Sequence, residues 1–81
     1  MKNARNQQQP MIGQAWTGKH VILLHCNERN QFKQLYSSYH APIEPPRQNC
    51  AETLSQLFSI GYKVKQVTNL TKGQLQYLLV L

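Results

Sequence analysis

His25 and Cys26 stand side by side at the end of the apolar run Val21, Ile22, Leu23, Leu24, ahead of the polar stretch Asn27 to Gln31. A buried strand that delivers a thiol into a polar loop is the layout of the phosphatase-type nucleophile loop. There the thiolate attacks phosphorus while loop amides and one Arg hold the phosphate oxygens. Counted from Cys26, the position of that Arg is occupied by Phe32, and Arg29 comes too early. The stretch between lacks the glycines that let a backbone curl round phosphate, and Glu28 would set a negative charge beside the bound anion. Cys26 therefore reads as a buried structural residue, the commonest setting of a free cysteine.

Cys50 faces the same question, because it opens a predicted helix, where amides and the helix dipole lower a thiol pKa and Arg47 could assist. Neither a second Cys two residues away nor an adjacent His accompanies it. It reads as the first apolar residue of the helix. His20 and His25 have the spacing of one paired zinc-ligand motif, but positions i and i+5 of a strand point to opposite faces. Together with His40 and the cysteines they do not spell a metal site. The three carboxylates, Glu28, Glu44 and Glu52, fall in separate segments and Asp is absent, which removes paired-carboxylate hydrolysis and most metal-assisted schemes. Nor is there a glycine-rich phosphate loop. The expectation is a protein that is not an enzyme, with no cofactor and no metal.

The elements that would position these residues follow from periodicity. The first element is expected over His20–Cys26, where the apolar run Val21–Leu24 without alternation reads as a strand covered on both faces or a short buried segment, and its length favours a strand. In Asn27 to His40, Phe32, Leu35, Tyr36 and Tyr39 fall on one helical face. This favours a helix, with a hairpin turn at Asn27–Asn30 and a second strand over Gln31–Tyr39 as the alternative. Pro42, Pro45 and Pro46 then break regular structure. The same residues spell P-x-x-P-x-R up to Arg47, a pattern of proline-rich ligands, which reads here as a stiff connecting loop. Asn49 with Glu52 makes a capping-box-like start, Cys50, Ala51, Leu54, Leu57 and Phe58 an apolar face, and Gly61 a C-terminal stop, so a helix is predicted over residues 50–60. Tyr62 and Val64 alternate with Lys63 and Lys65, Gly73 supplies a turn, and Leu75, Tyr77 and Leu79 alternate with Gln74 and Gln76: a strand, turn, strand hairpin. The predicted fold is α+β, a small three-stranded, mostly antiparallel sheet with one or two helices packed on one face.

Eighty-one residues allow one domain with a modest core, for which dimerisation is a natural remedy. The last strand turns apolar on both faces at Leu78 and Val80. It is thus either central or meets a second subunit there, and a pairing edge that makes a homodimer is the preferred explanation. Residues 1–18, rich in Asn and Gln around Lys2 and Arg5, read as a flexible tail, and residues 19–81 as the domain. Trp16 reads as an anchor for the tail or for a partner. No apolar stretch suits a secretory signal or a membrane span, so the chain is expected to be cytoplasmic, with both cysteines reduced.

Nine Lys and Arg against three acids leave a formal charge of +6, which favours acidic partners. Lys63 and Lys65 are expected on one strand face opposite Gln74 and Gln76, with Lys72 at the turn. With Lys2, Arg5 and Trp16 they form the proposed contact set. Nucleic acid would want aromatic residues on that face to stack bases, and Tyr62 and Tyr77 fall on the other. An acidic protein partner is therefore preferred to nucleic acid.

The stretch from Ala51 to Leu81 also resembles two families. The helix "L..L...G" running into an aromatic residue, a "V..V" strand and a final "Y.L" strand is similar to small bacterial proteins of unknown function. Gly61 followed by Tyr62–Val67 resembles small phycobilisome linker domains, although position 62 is Tyr where the linkers have a second glycine. The second likeness implies a basic binding module held inside an assembly of acidic subunits, and neither implies a catalytic residue.

Overall fold

The computed structural model describes residues 18–81. The expectations for residues 1–17, including Lys2, Arg5 and Trp16, lie outside it. Strands β1 (Val21–Asn27), β2 (Phe32–Ser37), β3 (Lys63–Asn69) and β4 (Gln74–Val80) and helix α1 (Cys50–Ile60) follow in the order β1, β2, α1, β3, β4. The strands form one sheet in the order β2-β1-β4-β3, every neighbouring pair antiparallel. Among the described residues the expected three-stranded sheet is therefore corrected to four strands, while the single α-helix falls within the expected one or two.

The additional strand is β2, where a helix was favoured. The reason is a β-bulge. Leu24 pairs with Leu35 and Cys26 with Phe32, while Lys33 is the extra residue without a partner. A bulge places two residues opposite one, so the inward-facing Phe32 and Leu35 are three apart instead of two. That spacing imitates the first step of a helical face. Edge strand β3 repeats the device. Val64 pairs with Leu79 and Gln66 with Leu78, leaving Lys65 as the extra residue. Both edges thus carry a bulge with a lysine at it, which blunts them against pairing with further strands.

The expected pairing edge at Leu78 and Val80 is also overturned, because β4 is hydrogen-bonded on one side to β1 and on the other to β3. Of the two explanations weighed for its apolar faces, the central strand holds.

Helix α1 covers one face of the sheet. Ile22, Leu24 and Cys26 of β1 and Leu79 of β4 are buried against Cys50, Leu57 and Tyr62, with Phe32, Leu35, Leu54, Ile60, Tyr77 and Leu81 packed around them. Asn49 caps the helix by accepting from the Glu52 amide, as its sequence predicts. At the other end the Tyr62 amide donates to the Leu57 carbonyl and the Gly61 amide to the Phe58 carbonyl, the pairing of a Schellman stop. Gly61 has φ +124°, a conformation that strains any residue with a side chain, and a Cβ there would lie 2.9 Å from the tip of the Leu81 side chain, which would have to move aside. The helix is rolled slightly from its predicted face. Thr53 is buried, its hydroxyl donating to the Arg47 carbonyl at 2.8 Å and accepting from the Arg47 amide at 2.9 Å, while Phe58 is 48% exposed.

The proline segment is tied down as well. Tyr62, buried at the end of α1, donates its hydroxyl to the Pro42 carbonyl at 3.1 Å, and burial raises its pKa above the ordinary 10.0. A raised native pKa means that the folded state holds the proton longer than the unfolded chain. The contribution is complete below pH 10.0 and is lost as pH climbs through the higher native value. Denaturation midpoints should accordingly fall above that pH in the native sequence, and Tyr62→Phe should remove this alkaline slope while losing about 1 kcal/mol at neutral pH for the hydroxyl.

The cysteines depart from expectation. Cys26 and Cys50 form a disulfide with Cα atoms 6.0 Å apart, rather than two free thiols. It joins the end of β1 to the first turn of α1, across a connection that contains β2 and the exposed proline segment. The hairpin turn reinforces this joint. Asn30, at φ +63°, gives its backbone carbonyl to the Cys50 amide, its Oδ1 to the Ala51 amide and its Nδ2 to Asn49 Oδ1.

Candidate interaction surface

Strand alternation decides what became of the His-Cys pair. Cys26 points into the core and is bonded to Cys50, so His25 points to the opposite face of the sheet. There its Nε2 donates to Gln76 Oε1 at 2.9 Å, and its ring meets the Tyr36 ring edge-on with centroids 5.4 Å apart. The two adjacent residues cannot act on one substrate. The amides at the start of α1 are no anion site either, since those of Cys50, Ala51 and Glu52 are taken by Asn30 and Asn49.

The face that carries His25 is covered by no described element. Its composition follows from register. Tyr36, Leu23, Leu78 and Gln66 form one cross-strand row, and Gln34, His25, Gln76 and Thr68 the next but one. Val21, Val80 and Lys63 form a further row towards the start of β1. Val21, Leu23, Leu78 and Val80 thus make an apolar centre, part-buried by their neighbours, and Tyr36 at its margin is 53% exposed. Lys33 stands exposed at the β2 edge and Lys63 and Lys65 at the β3 edge. The three carboxylates lie elsewhere: Glu28 in the β1–β2 turn, Glu44 in the proline segment and Glu52 in α1.

The lysines and glutamines expected to act together are only partly gathered. Lys63 pairs with Val80, whereas Gln74 pairs with Asn27 at the far end of β4 and Lys72 lies in the turn before it. Six residues of strand, about 20 Å, separate the two ends. Lys63, Gln74 and Gln76 share the open face, Gln74 at its far end, with Lys65 at the bulge on the β3 edge, and Lys72 belongs to the turn. Antiparallel pairing accounts for this: the chain turns back at residues 70–73, so Gln74 lies beside the end of β3, where Asn69 pairs with Leu75, while Lys63 at its start meets the end of β4. Reading β2 as a helix hid Leu23, His25, Gln34 and Tyr36 as members of the face. The alternative of a hairpin turn at Asn27–Asn30 was the signal that could have found them.

A second apolar surface lies on the helix side. Val64 and Val67 of β3 share the face of Leu79 and Tyr77 but are 38% and 51% exposed, beyond the cover of α1.

Fold and face together define a small α+β module: an antiparallel sheet, one helix stapled to it, and one open face. The chain matches no family model, and no curated protein and no solved structure matches it. No helix among the described residues is long and apolar enough to cross a membrane.

Proposed function

We propose that the chain is a non-enzymatic binding module that holds an acidic protein partner on the open face of its sheet. The observation that carries this reading is the composition of that face, an apolar centre of Val21, Leu23, Leu78 and Val80 with lysines at both edges and no carboxylate. Protein interfaces are built in this way, with an apolar core inside a polar rim. Lys63, Lys65 and Gln76 remain in the contact set, joined by Lys33, Tyr36 and His25. Gln74 stays in it at the far end of the face, and Lys72, together with Lys2, Arg5 and Trp16 of the tail, extends it where the partner reaches beyond the face. The likeness of the helix-glycine-strand segment to linker domains inside acidic assemblies points to the same class of partner.

A nucleic-acid partner is the second reading. What favours it is the Tyr36 and His25 pair, which puts aromatic rings on the lysine-bearing face after all. Against it, the centre of the face is aliphatic, and His25 is committed to Gln76.

The cytoplasmic location expected from the sequence sits poorly with a buried disulfide, which favours an oxidising compartment or an oxidised state of the chain. Affinity capture from native lysate tests the binding reading. The full chain should retain a partner that nuclease treatment does not release and that Lys63→Glu/Lys65→Glu loses. Capture unaffected by the double substitution would refute it, and release by nuclease would favour the second reading.

A further inference from the structure

Resting on this binding reading, we propose that the occupant of the open face is an amphipathic α-helix of the partner, lying along the strands with an apolar stripe flanked on both sides by carboxylates. Three features of the face select it. First, the cations stand on both margins, Lys63 at the β3 edge in the row of Val21 and Val80, Lys65 at the neighbouring bulge, and Lys33 at the β2 edge beside the row of His25 and Gln76, so the apolar residues lie on the diagonal between them. These edges are three strand spacings apart, about 14 Å. A helix with its side chains is about 10–12 Å across, so it fills the apolar strip and brings both of its flanks to the lysines.

Second, the edges refuse an added strand. Each is interrupted by a bulge with a lysine as the unpaired residue, which breaks the ladder that strand addition would extend. Third, a second copy of the chain is a poor occupant. Face-to-face stacking would bring Lys33, Lys63 and Lys65 against the same cations, with no carboxylate on the face to offset them. An acidic helix supplies both the missing charge and the missing apolar cover of Leu23 and Leu78.

The test uses the isotope-labelled full chain and a synthetic helical peptide of about five turns, roughly 18 residues, with a Leu stripe flanked on both sides by Glu. A twin peptide carries Lys in place of every Glu. The Glu peptide should shift the amide signals of Leu23, His25, Gln66 and Leu78 and should bind at least tenfold tighter than the Lys peptide. Lys33→Glu should weaken it about fivefold, the upper range for one exposed ion pair, and Lys33→Arg should restore it. Equal binding of the two peptides overturns the proposal, as do shifts confined to one edge strand, or tighter binding of a single-stranded oligonucleotide at the same amides. If the peptide fails while capture from lysate remains sensitive to Lys63→Glu/Lys65→Glu, the helical occupant is refuted and the acidic-partner reading stands. Capture insensitive to that double substitution removes both.

Discussion

Reducing the Cys26–Cys50 bond, or replacing both residues by Ala, should lower the stability of this protein by about 3 kcal/mol. The bond closes a loop of residues 26–50, and the chain-entropy estimate for a loop of that size is close to this value. The segment it spans explains why so much depends on it. Residues 42–49 are exposed throughout, so little apolar packing holds the start of α1 to the sheet apart from Cys50 itself. For a domain of this size, 3 kcal/mol corresponds to a fall in melting temperature of roughly 12–24 °C. Thermal unfolding followed by circular dichroism, with and without reductant, measures it. A shift of only one or two degrees, or ready alkylation of the untreated native protein at both cysteines, would contradict the bond's structural role.

A comparably large effect is expected at Leu24, and almost none at its neighbour. Leu24 is fully buried between sheet and helix, while Leu23 lies on the open face. Leu24→Ala leaves a cavity beneath α1 and should cost about 3–4 kcal/mol, within the range for fully buried leucines. Leu23→Ala should cost less than about 1 kcal/mol, because its side chain is already partly in water. Binding is expected to reverse the order, since Leu23 belongs to the apolar centre proposed as the partner's seat. Urea titration of the two single variants reads the first contrast, and peptide affinity the second. Equal destabilisation by the two substitutions would mean that the outer face is covered within the folded chain.

The likeness to small bacterial proteins and to linker domains rests on α1, Gly61, β3 and, for the first of them, β4, and those elements are common geometry.

Helix α1 was legible to the residue, from Cys50 to Ile60, because a capping Asn, an apolar face and a terminal glycine are local signals that tertiary packing did not contradict. The strands β1, β3 and β4 were legible for the same reason, through alternation or an apolar run bounded by polar turns. Strand β2 was not. Its bulge at Lys33 changed the spacing of inward residues from two to three, and only the partner strand reveals that one residue has been set aside. The disulfide depended on geometry too, since nothing in a separation of 24 residues says that the end of β1 and the start of α1 meet. Charge and residue type marked the chain as basic and free of Asp, and the proposed binding role starts from that. Which lysines share a surface was settled by cross-strand register, because in a sheet the face on which a side chain stands depends on how its neighbours pair.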